Sequence, residues 1–524
     1  MENIFLREAR LGSSLVPAGN CLEQGVIMEI VGHLIDGKSV TENVATTPLI
    51  NPATGIQESE LAMASAEQTL RAIKAASEAY PDWRATPPAK RAQVMFRFKS
   101  VLEENVNEII DLIGREHGKI PHDARGEVQR GIENIEFACF APEILKGEFS
   151  KNVGPGIDSW SEFQPLGVVA GITPFNFPVM VPLWMYPLAI VCGNTFVLKP
   201  SEKDPSAALY VAELAHEAGL PNGVLNVING GKDVVDVLVT DPTIKAISFV
   251  GSTPVAEDIY SRTTSEGKRC QALGGAKNHA IIMPDADLEN VAKALMGAAF
   301  GSSGERCMAV SVAVVVGCQT ATELVAKLKT EMARLKIGGP QDNNNDFGPL
   351  ISAEHKAKVI SLIESAVEEG AQIVVDGRSP DLGADSQGFF LGGTLIDRVD
   401  SSMTCYRNEI FGPVLCVVHV DHLDEAMKLV SEHEYGNGAC IFTRDGEAAR
   451  YFSDNINAGM VGINVPLPVP VSYHSFGGWK RSLFGDLSAY GPDGVRFYTR
   501  RKTITQRWPS SKAADTSSFS FPSS

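Results

Sequence analysis

Val168-Val-Ala-Gly-Ile172, Thr195-Phe-Val-Leu198, Val224-Leu-Asn-Val-Ile228 and Lys245-Ala-Ile-Ser-Phe-Val250 are four short, largely apolar and β-branched runs between residues 167 and 273. Helical stretches such as Ala207 to Ala218 lie between them. A strand buried on both faces need not alternate polar with apolar residues, so this rhythm predicts a parallel sheet covered on both sides, a doubly wound α/β domain. The natural ligand crevice of such a sheet is at the carboxyl ends of its strands.

Upstream of that domain, His33-Leu-Ile-Asp-Gly37 reads as the start of a hairpin and Asn51-Pro-Ala-Thr-Gly55 as a turn. Helices are expected over Ala66 to Tyr80, with Leu70, Ile73 and Tyr80 on the apolar face, and over Arg91 to Ile113. Downstream, a second αβ series starts at Asn278 and predicts helices from Leu288, over Thr322 to Leu335 and over Ala353 to Glu369, with a strand at Val312 to Val316. The longest apolar run, Leu166 to Gly193, carries Pro174, Pro178, Pro182 and Pro187, which a simple membrane-spanning helix would not contain. The tail from Ser510 to Ser524 holds seven serines in fifteen residues and is expected to lie loosely on the surface.

At 524 residues the chain is too long for one small stapled module. Its formal charge of −17 opposes nucleic-acid binding, so an anionic ligand needs a local site. Nine scattered cysteines without a CxxC pair suit a reducing compartment, and neither a secretory nor a transit signal is persuasive in residues 1–32, which points to the cytoplasm. There is no HExxH, and His419 and His422, after an apolar run, read as turn residues. No metal site is expected.

Four stretches carry candidate chemistry. Gly251-Ser252-Thr253-Pro254 follows a strand and opens a helix whose free amides would suit a pyrophosphate, although such a turn is also an ordinary cap. Lys199-Pro-Ser-Glu202-Lys203, at the end of another strand, sets a cation and a carboxylate where an adenosine ribose would lie, and a carboxylate there favours NAD over NADP. Cys307 sits in Gly301-Ser-Ser-Gly-Glu-Arg-Cys-Met308, where small neighbours give access and Arg306 is expected to draw the thiol pKa toward neutrality. Thr173-Pro-Phe-Asn-Phe-Pro178 presents Asn176 on the loop leaving the first wound strand, where its amide could donate to an oxyanion. Glu409, in Asn408-Glu-Ile-Phe-Gly-Pro413, reads by itself as a loop acid.

Taken together, PFNFP (174–178), KPSE (199–202), FVGST (249–253), GERC (304–307), EIFGP (409–413) and FGG (476–478) resemble the aldehyde dehydrogenase superfamily, in order over residues 33 to 508. Gly126-Glu-Val-Gln-Arg130-Gly131, Arg306, Ala276-Lys-Asn-His279, Asn464-Val-Pro-Leu-Pro-Val-Pro470 and Phe497-Tyr-Thr-Arg-Arg-Lys-Thr-Ile504 are similar to its CoA-acylating branch acting on malonate and methylmalonate semialdehydes.

The resemblance implies an aldehyde dehydrogenase-like α/β fold. It has a doubly wound NAD-binding domain (33–142 and 164–273), an α/β catalytic domain (274–475) and a small β oligomerisation element (143–163, with 476–508), flanked by an extension (1–32) and a tail (509–524). It implies a homodimer or homotetramer without a membrane or nucleic-acid partner. Cys307 would be the nucleophile and Asn176 the oxyanion donor. Thr173, Phe175, Lys199, Glu202, Lys203, Ser252 and Glu409 would hold NAD, and Arg130 and Arg306 would grip the substrate carboxylate.

One departure is informative. Hydrolytic relatives open Glu-Leu-Gly-Gly-Lys with an acid that activates water, whereas this chain has Leu273-Gly-Gly-Ala-Lys277. Leucine takes no proton, so the thioester is expected to await CoA. The rivals are a hydrolytic enzyme using another acid, with Asp486 the candidate, and a non-catalytic dinucleotide-binding scaffold.

Overall fold

The computed structural model describes residues 28–42, 45–382 and 387–508; the tail 509–524 and most of the expected extension, residues 1–27, lie outside them. The larger sheet has eight strands in the order Leu483–Phe484, Arg269–Leu273, Ile244–Val250, Val168–Ile172, Thr195–Lys199, Leu225–Val227, His33–Ile35 and Lys38–Val40. The five strands from Arg269–Leu273 to Leu225–Val227 are parallel, as the apolar runs require, and antiparallel strands close both edges. One face packs on the helices Pro88–Glu104, Pro121–Cys139, Met180–Val191 and Pro205–Glu217, and the other on Ala66–Ala85, Lys232–Thr240 and Thr253–Ser265.

The chain builds outward from Val168–Ile172 on one side and then returns to its other side with Ile244–Val250, so the order reverses between these two strands. Their carboxyl ends feed the Thr173–Pro178 and Gly251–Thr253 loops, which the switch point therefore sets side by side. Close approach in the core fixes this geometry: a Cβ on Gly171 would lie 2.6 Å from Phe196 Cζ and 2.9 Å from Met185 Sδ.

A second sheet of seven strands runs Gln372–Val375, Thr394–Asp397, Val414–Val420, Val310–Val316, Asn278–Ile282, Gly438–Phe442 and Met460–Ile463, parallel except at its first edge. Only residues 274–277 separate Leu273, which ends a strand of the larger sheet, from Asn278, which begins one here. The carboxyl edge of the first sheet thus faces the amino edge of the second. A small antiparallel sheet pairs Ile157–Pro165 with Phe149–Gly154 and, over nine residues, with Thr499–Arg507.

Several local expectations change. The helix from Ala66 continues through Pro81 to Ala85, and Leu70, expected on its packed face, is exposed while Ala72, Ile73, Ala76 and Trp83 are buried. The expected helix over 91–113 is two helices, Pro88–Glu104 and Val106–His117, broken at Asn105, whose side-chain amide bonds back to Val101 O at 2.7 Å. Such back-bonding competes with the helical ladder. The expected helix over 322–335 spans Cys318–Met332. His419 is a strand residue bonded to Asp397 at 2.6 Å and not a turn residue. The proline-bearing run holds a strand, a loop and the wholly buried helix Met180–Val191; among the described residues no helix is long and apolar enough to cross a membrane.

Phe196 lies fully buried between Tyr186 and Tyr498. Phe196→Ala is expected to cost about 3–5 kcal/mol by transfer loss and cavity formation. The measurement is the urea unfolding midpoint, which should fall; an unchanged value contradicts this packing.

Candidate active site at the seam between the sheets

The helix Leu288–Phe300 ends at Gly301, and Ser302, Ser303 and Gly304 follow at φ 49°, 57° and 72°. Non-glycine residues in this left-handed region are strained and persist only where their surroundings hold them. Here Ser302 donates through its backbone N–H (2.8 Å) and hydroxyl (3.0 Å) to Asp123, and the Ser303 hydroxyl donates to Gly348 O at 2.7 Å. At Gly304 a Cβ would strike Gly412 O at 2.2 Å. Beyond this turn the Cys307 carbonyl accepts the amides of Asn278 (2.9 Å) and Asn437 (3.0 Å). Asn278 opens an interior strand of the second sheet and Asn437 directly precedes its neighbour Gly438–Phe442, so the thiol segment is pinned to that sheet's amino edge.

Asn176 reaches the same segment from the other sheet. It is buried, and its amide donates to Glu305 O at 3.0 Å, two residues before the thiol. A side-chain amide has two donor hydrogens, and one remains after this bond. Glu409 enters from the loop before Val414–Val420: its carboxylate accepts Ala276 N–H at 2.8 Å, and a Cβ on Gly275 would meet its other oxygen at 2.5 Å. Lys277 holds the chain just before Glu409 by donating to Cys405 O (2.6 Å) and Asn408 O (2.8 Å). A small cleft there is lined by Cys307, Ala276, Glu409 and Phe411 among others.

The electrostatics overturn one expectation. Burial first, then the charge of Glu409, push the Cys307 thiol up to about 12, although the backbone N–H groups of Cys307 and Met308 and the charge of Arg306 act downward. Arg306 is the smallest of these influences, and its guanidinium lies 2.7 Å from Asp123 in a largely buried ion pair. Burial also raises the Glu409 carboxyl, despite the Ala276 N–H and Lys277.

On the nucleotide side, Thr173 N–H donates to Lys199 O at 3.1 Å, which joins two of the expected contact loops. Buried Lys199 lies 2.9 Å from the half-exposed Glu202; burial pushes that carboxyl up, but the charge and hydrogen bond of Lys199 bring it below its usual range. Lys203 is exposed. Ser252 stands at the N-cap of Thr253–Ser265 without a side-chain bond to its own helix, and the buried Thr173 hydroxyl has no partner among the described residues. Phe175 packs edge-on to Phe411 and His355.

Arg130 lies 2.9 Å from Glu133 in a solvated pair. The charges of Arg130, Glu133 and Cys307 all act on the buried Tyr490, whose ring packs against Trp184 and Phe476. Leu273, at the expected base position, is buried and paired with Val250 and Leu483. Asp486, the alternative acid, is exposed near Arg269 at the amino end of that strand, away from the loop that meets Glu409. Asn278, Asn437, Tyr490, Lys119 and Glu127 escaped the sequence reading. Only the Ala276-Lys-Asn-His279 run hinted at one of them.

A cysteine set where two open α/β sheets meet, facing the switch-point crevice of one of them, defines a class of thiol-bearing oxidoreductase. The chain belongs to the aldehyde dehydrogenase family, whose model matches residues 40–504. It is 64% identical over 496 residues to malonate-semialdehyde dehydrogenase of Pseudomonas aeruginosa, covering 95% of this chain and 100% of that one. The crystal structure of methylmalonate-semialdehyde dehydrogenase from Oceanimonas doudoroffii superposes with a TM-score of 0.92 at 66% identity, over 92% of this chain and 99% of that one. A Sinorhizobium meliloti protein complexed with NAD gives 0.92 at 52% identity, over 93% and 99%.

A thiol at about 12 is ionised to only ~10⁻⁴ at pH 8. Alkylation of Cys307 by iodoacetamide in the ligand-free protein, followed by peptide mass spectrometry, should therefore rise about tenfold per pH unit from 7 to 10. A plateau below pH 8 would contradict the raised value.

Proposed function

We propose that the protein oxidises malonate or methylmalonate semialdehyde with NAD and passes the acyl group to CoA, with loss of the carboxylate as CO₂ or bicarbonate. The observation that carries the reading is Leu273, buried at the position from which hydrolytic relatives activate water. The named substrates of the similar Pseudomonas and Oceanimonas enzymes support the substrate class. The NAD-bound Sinorhizobium neighbour supports the cofactor, and the residues fit it: an uncommitted Ser252 at a helix N-cap, an unpartnered Thr173 hydroxyl, and Glu202 beside Lys199 for a ribose.

The Cys307 thiol first gives its proton to solvent, and the resulting thiolate adds to the aldehyde carbon. The carbonyl π pair moves to oxygen, where Asn176 and the Cys307 backbone N–H receive it. NAD, when bound, supplies the hydride acceptor that turns this adduct into a thioester. Glu409 would hold the nicotinamide ribose, Lys199, Glu202 and Lys203 the adenosine end, and Thr173, Phe175 and Ser252 would line the rest of the NAD site. The thioester carbonyl then accepts the electron pair released as the β-carboxylate leaves, and a proton from solvent replaces it. With no acid at Leu273 the acyl group stays on sulfur until the CoA thiol attacks, forming a new C–S bond as Cys307 departs.

Arg130 and Arg306 would grip the carboxylate. Arg130 is the more available, since its solvated pair with Glu133 is worth little. Arg306 would share its fork between the substrate and Asp123. We assign residues 33–142 and 164–273 to nucleotide binding, 274–475 to catalysis, and the sheet of residues 143–163 with the C-terminal strand to subunit contact in a homodimer or homotetramer. The exposed Phe149 and Val153 there support this assignment.

One observation favours a hydrolytic second reading: the Glu409 charge reaches the thiol, and a raised carboxyl is suited to a general base. NADH formation separates the two readings. Without CoA the acylating enzyme should give one fast turnover and then a steady rate at least about 10²-fold lower, whereas undiminished turnover yielding free acid supports hydrolysis. For the clamp, Arg130→Ala should raise KM for malonate semialdehyde about 10- to 100-fold while changing that for propanal less than threefold, as expected for a lost charged hydrogen bond. Equal effects on both aldehydes contradict it.

A further inference from the structure

Beneath the Asn176 loop lies an ion pair that the chemistry above does not use. The helix Val106–His117 ends on Gly118 at φ +82°, where a Cβ would meet Pro349 Cγ at 2.4 Å, so only glycine fits. The next helix starts at Pro121, whose ring fixes the backbone at its first position. Lys119 is confined between these two stops and turned inward, its side chain wholly buried against the equally buried Glu127 at 2.5 Å.

The pair closes a ring around the turn that carries Asn176. Lys119 Nζ donates to the Asn176 carbonyl at 2.5 Å and lies 4.1 Å from the centre of the Phe177 ring. Glu127 accepts with its other oxygen from Val179 N–H (2.8 Å) and Met180 N–H (3.2 Å), the free amides that open the helix Met180–Val191. One ion pair therefore holds the carbonyl at one end of the turn and two amides at the other. The residue at the carbonyl end carries the side chain whose amide points at the thiol segment, 3.0 Å from Glu305 O.

Burying two charges commonly costs as much as their attraction returns, so stability alone gives little reason for this pair. Its geometry gives another. A donor must be held within about 0.5 Å of its productive place to stabilise a developing oxyanion. The orientation of the 176–177 peptide sets where the Asn176 side chain starts.

We infer that Lys119 and Glu127 are positioning residues for acylation, fixing the 176–177 peptide so that the Asn176 amide is aimed at the thiol before substrate arrives. This rests on the reading of Asn176 as the oxyanion donor.

The test is a kinetic cycle on the full-length protein: single-turnover NADH formation for the unaltered protein, Asn176→Ala, Lys119→Met and the double variant, with the NAD dissociation constant and the thermal midpoint of each. Asn176→Ala is expected to slow the turnover about 10²- to 10³-fold, the usual effect of losing one such donor. Lys119→Met should slow it about 10²-fold with NAD affinity within about twofold, and should slow Asn176→Ala by no more than about threefold, because residues acting through one another do not multiply. A purely structural lysine gives multiplying effects in the double variant or an undiminished rate in the single one, and either overturns the inference. A normal rate in Asn176→Ala overturns the oxyanion reading instead, and the inference with it. If Lys119→Met alone does not fold, Lys119→Met/Glu127→Gln removes both charges and keeps an acceptor for Val179 and Met180. Folded and still at the rate of the unaltered protein, that variant overturns the inference; slowed about 10²-fold, it supports it.

Discussion

The four-residue link 274–277 is the constraint on which the rest depends. A connection so short between two parallel sheets forces the carboxyl edge of one against the amino edge of the other. Every candidate group then has its place. Asn176 and Ser252 leave carboxyl ends of the first sheet, Asn278 and Asn437 stand at the amino edge of the second, and Cys307 is strung between them. The link has two small residues where bulk would collide: a Cβ on Gly274 would meet Arg481 O at 2.7 Å, and one on Gly275 would meet Glu409. Lys277 extends the constraint by seizing the carbonyls of Cys405 and Asn408, so that the loop bearing Glu409 follows the link.

A seam between two sheets is dry, and its ionisable groups show it. Burial holds the Glu305 carboxyl well above the usual range, raises Glu409, drives the Cys307 thiol to about 12, and keeps His117 and His279 well below their ordinary values. In each case burial favours the neutral form over the charged one. Low dielectric also strengthens each fixed hydrogen bond toward a charge that develops during reaction, which is where Asn176 would act. The same dryness suits a thioester that must outlast its contact with water, since Leu273 adds apolar wall where an acid would recruit solvent.

What could be read along the chain was what neighbours in sequence decide. Continuous apolar runs gave the parallel strands because burial on both faces leaves a local trace, and the ordered motifs around Asn176, Glu202, Ser252, Cys307 and Glu409 mark loops at strand ends for the same reason. What could not be read depends on distant partners. Arg306 looked like the activator of its neighbouring thiol, but its carboxylate, Asp123, lies 183 residues away and takes the guanidinium. Leu70 satisfied the helical period yet faces solvent, because the sheet beneath accepts the smaller Ala72 and Ala76. Lys119 and Glu127 stand eight residues apart with no local pattern that joins them, and only the fold shows that the Asn176 loop covers them.

The strained turn before the thiol makes sense in these terms. Had the helix Leu288–Phe300 simply continued, each N–H near residue 307 would have been spent on a carbonyl four residues earlier. Instead the left-handed run Ser302, Ser303, Gly304 breaks that ladder, and the N–H groups of Cys307 and Met308 act on the sulfur. Three successive residues in that region cost energy that Gly304 alone avoids. Asp123 offsets part of it by accepting both donors of Ser302, and the same carboxylate holds Arg306. A single partly buried acid thus stabilises the turn that frees the amides and restrains the cation beside them, so removing Asp123 would disturb nucleophile, oxyanion donor and clamp together.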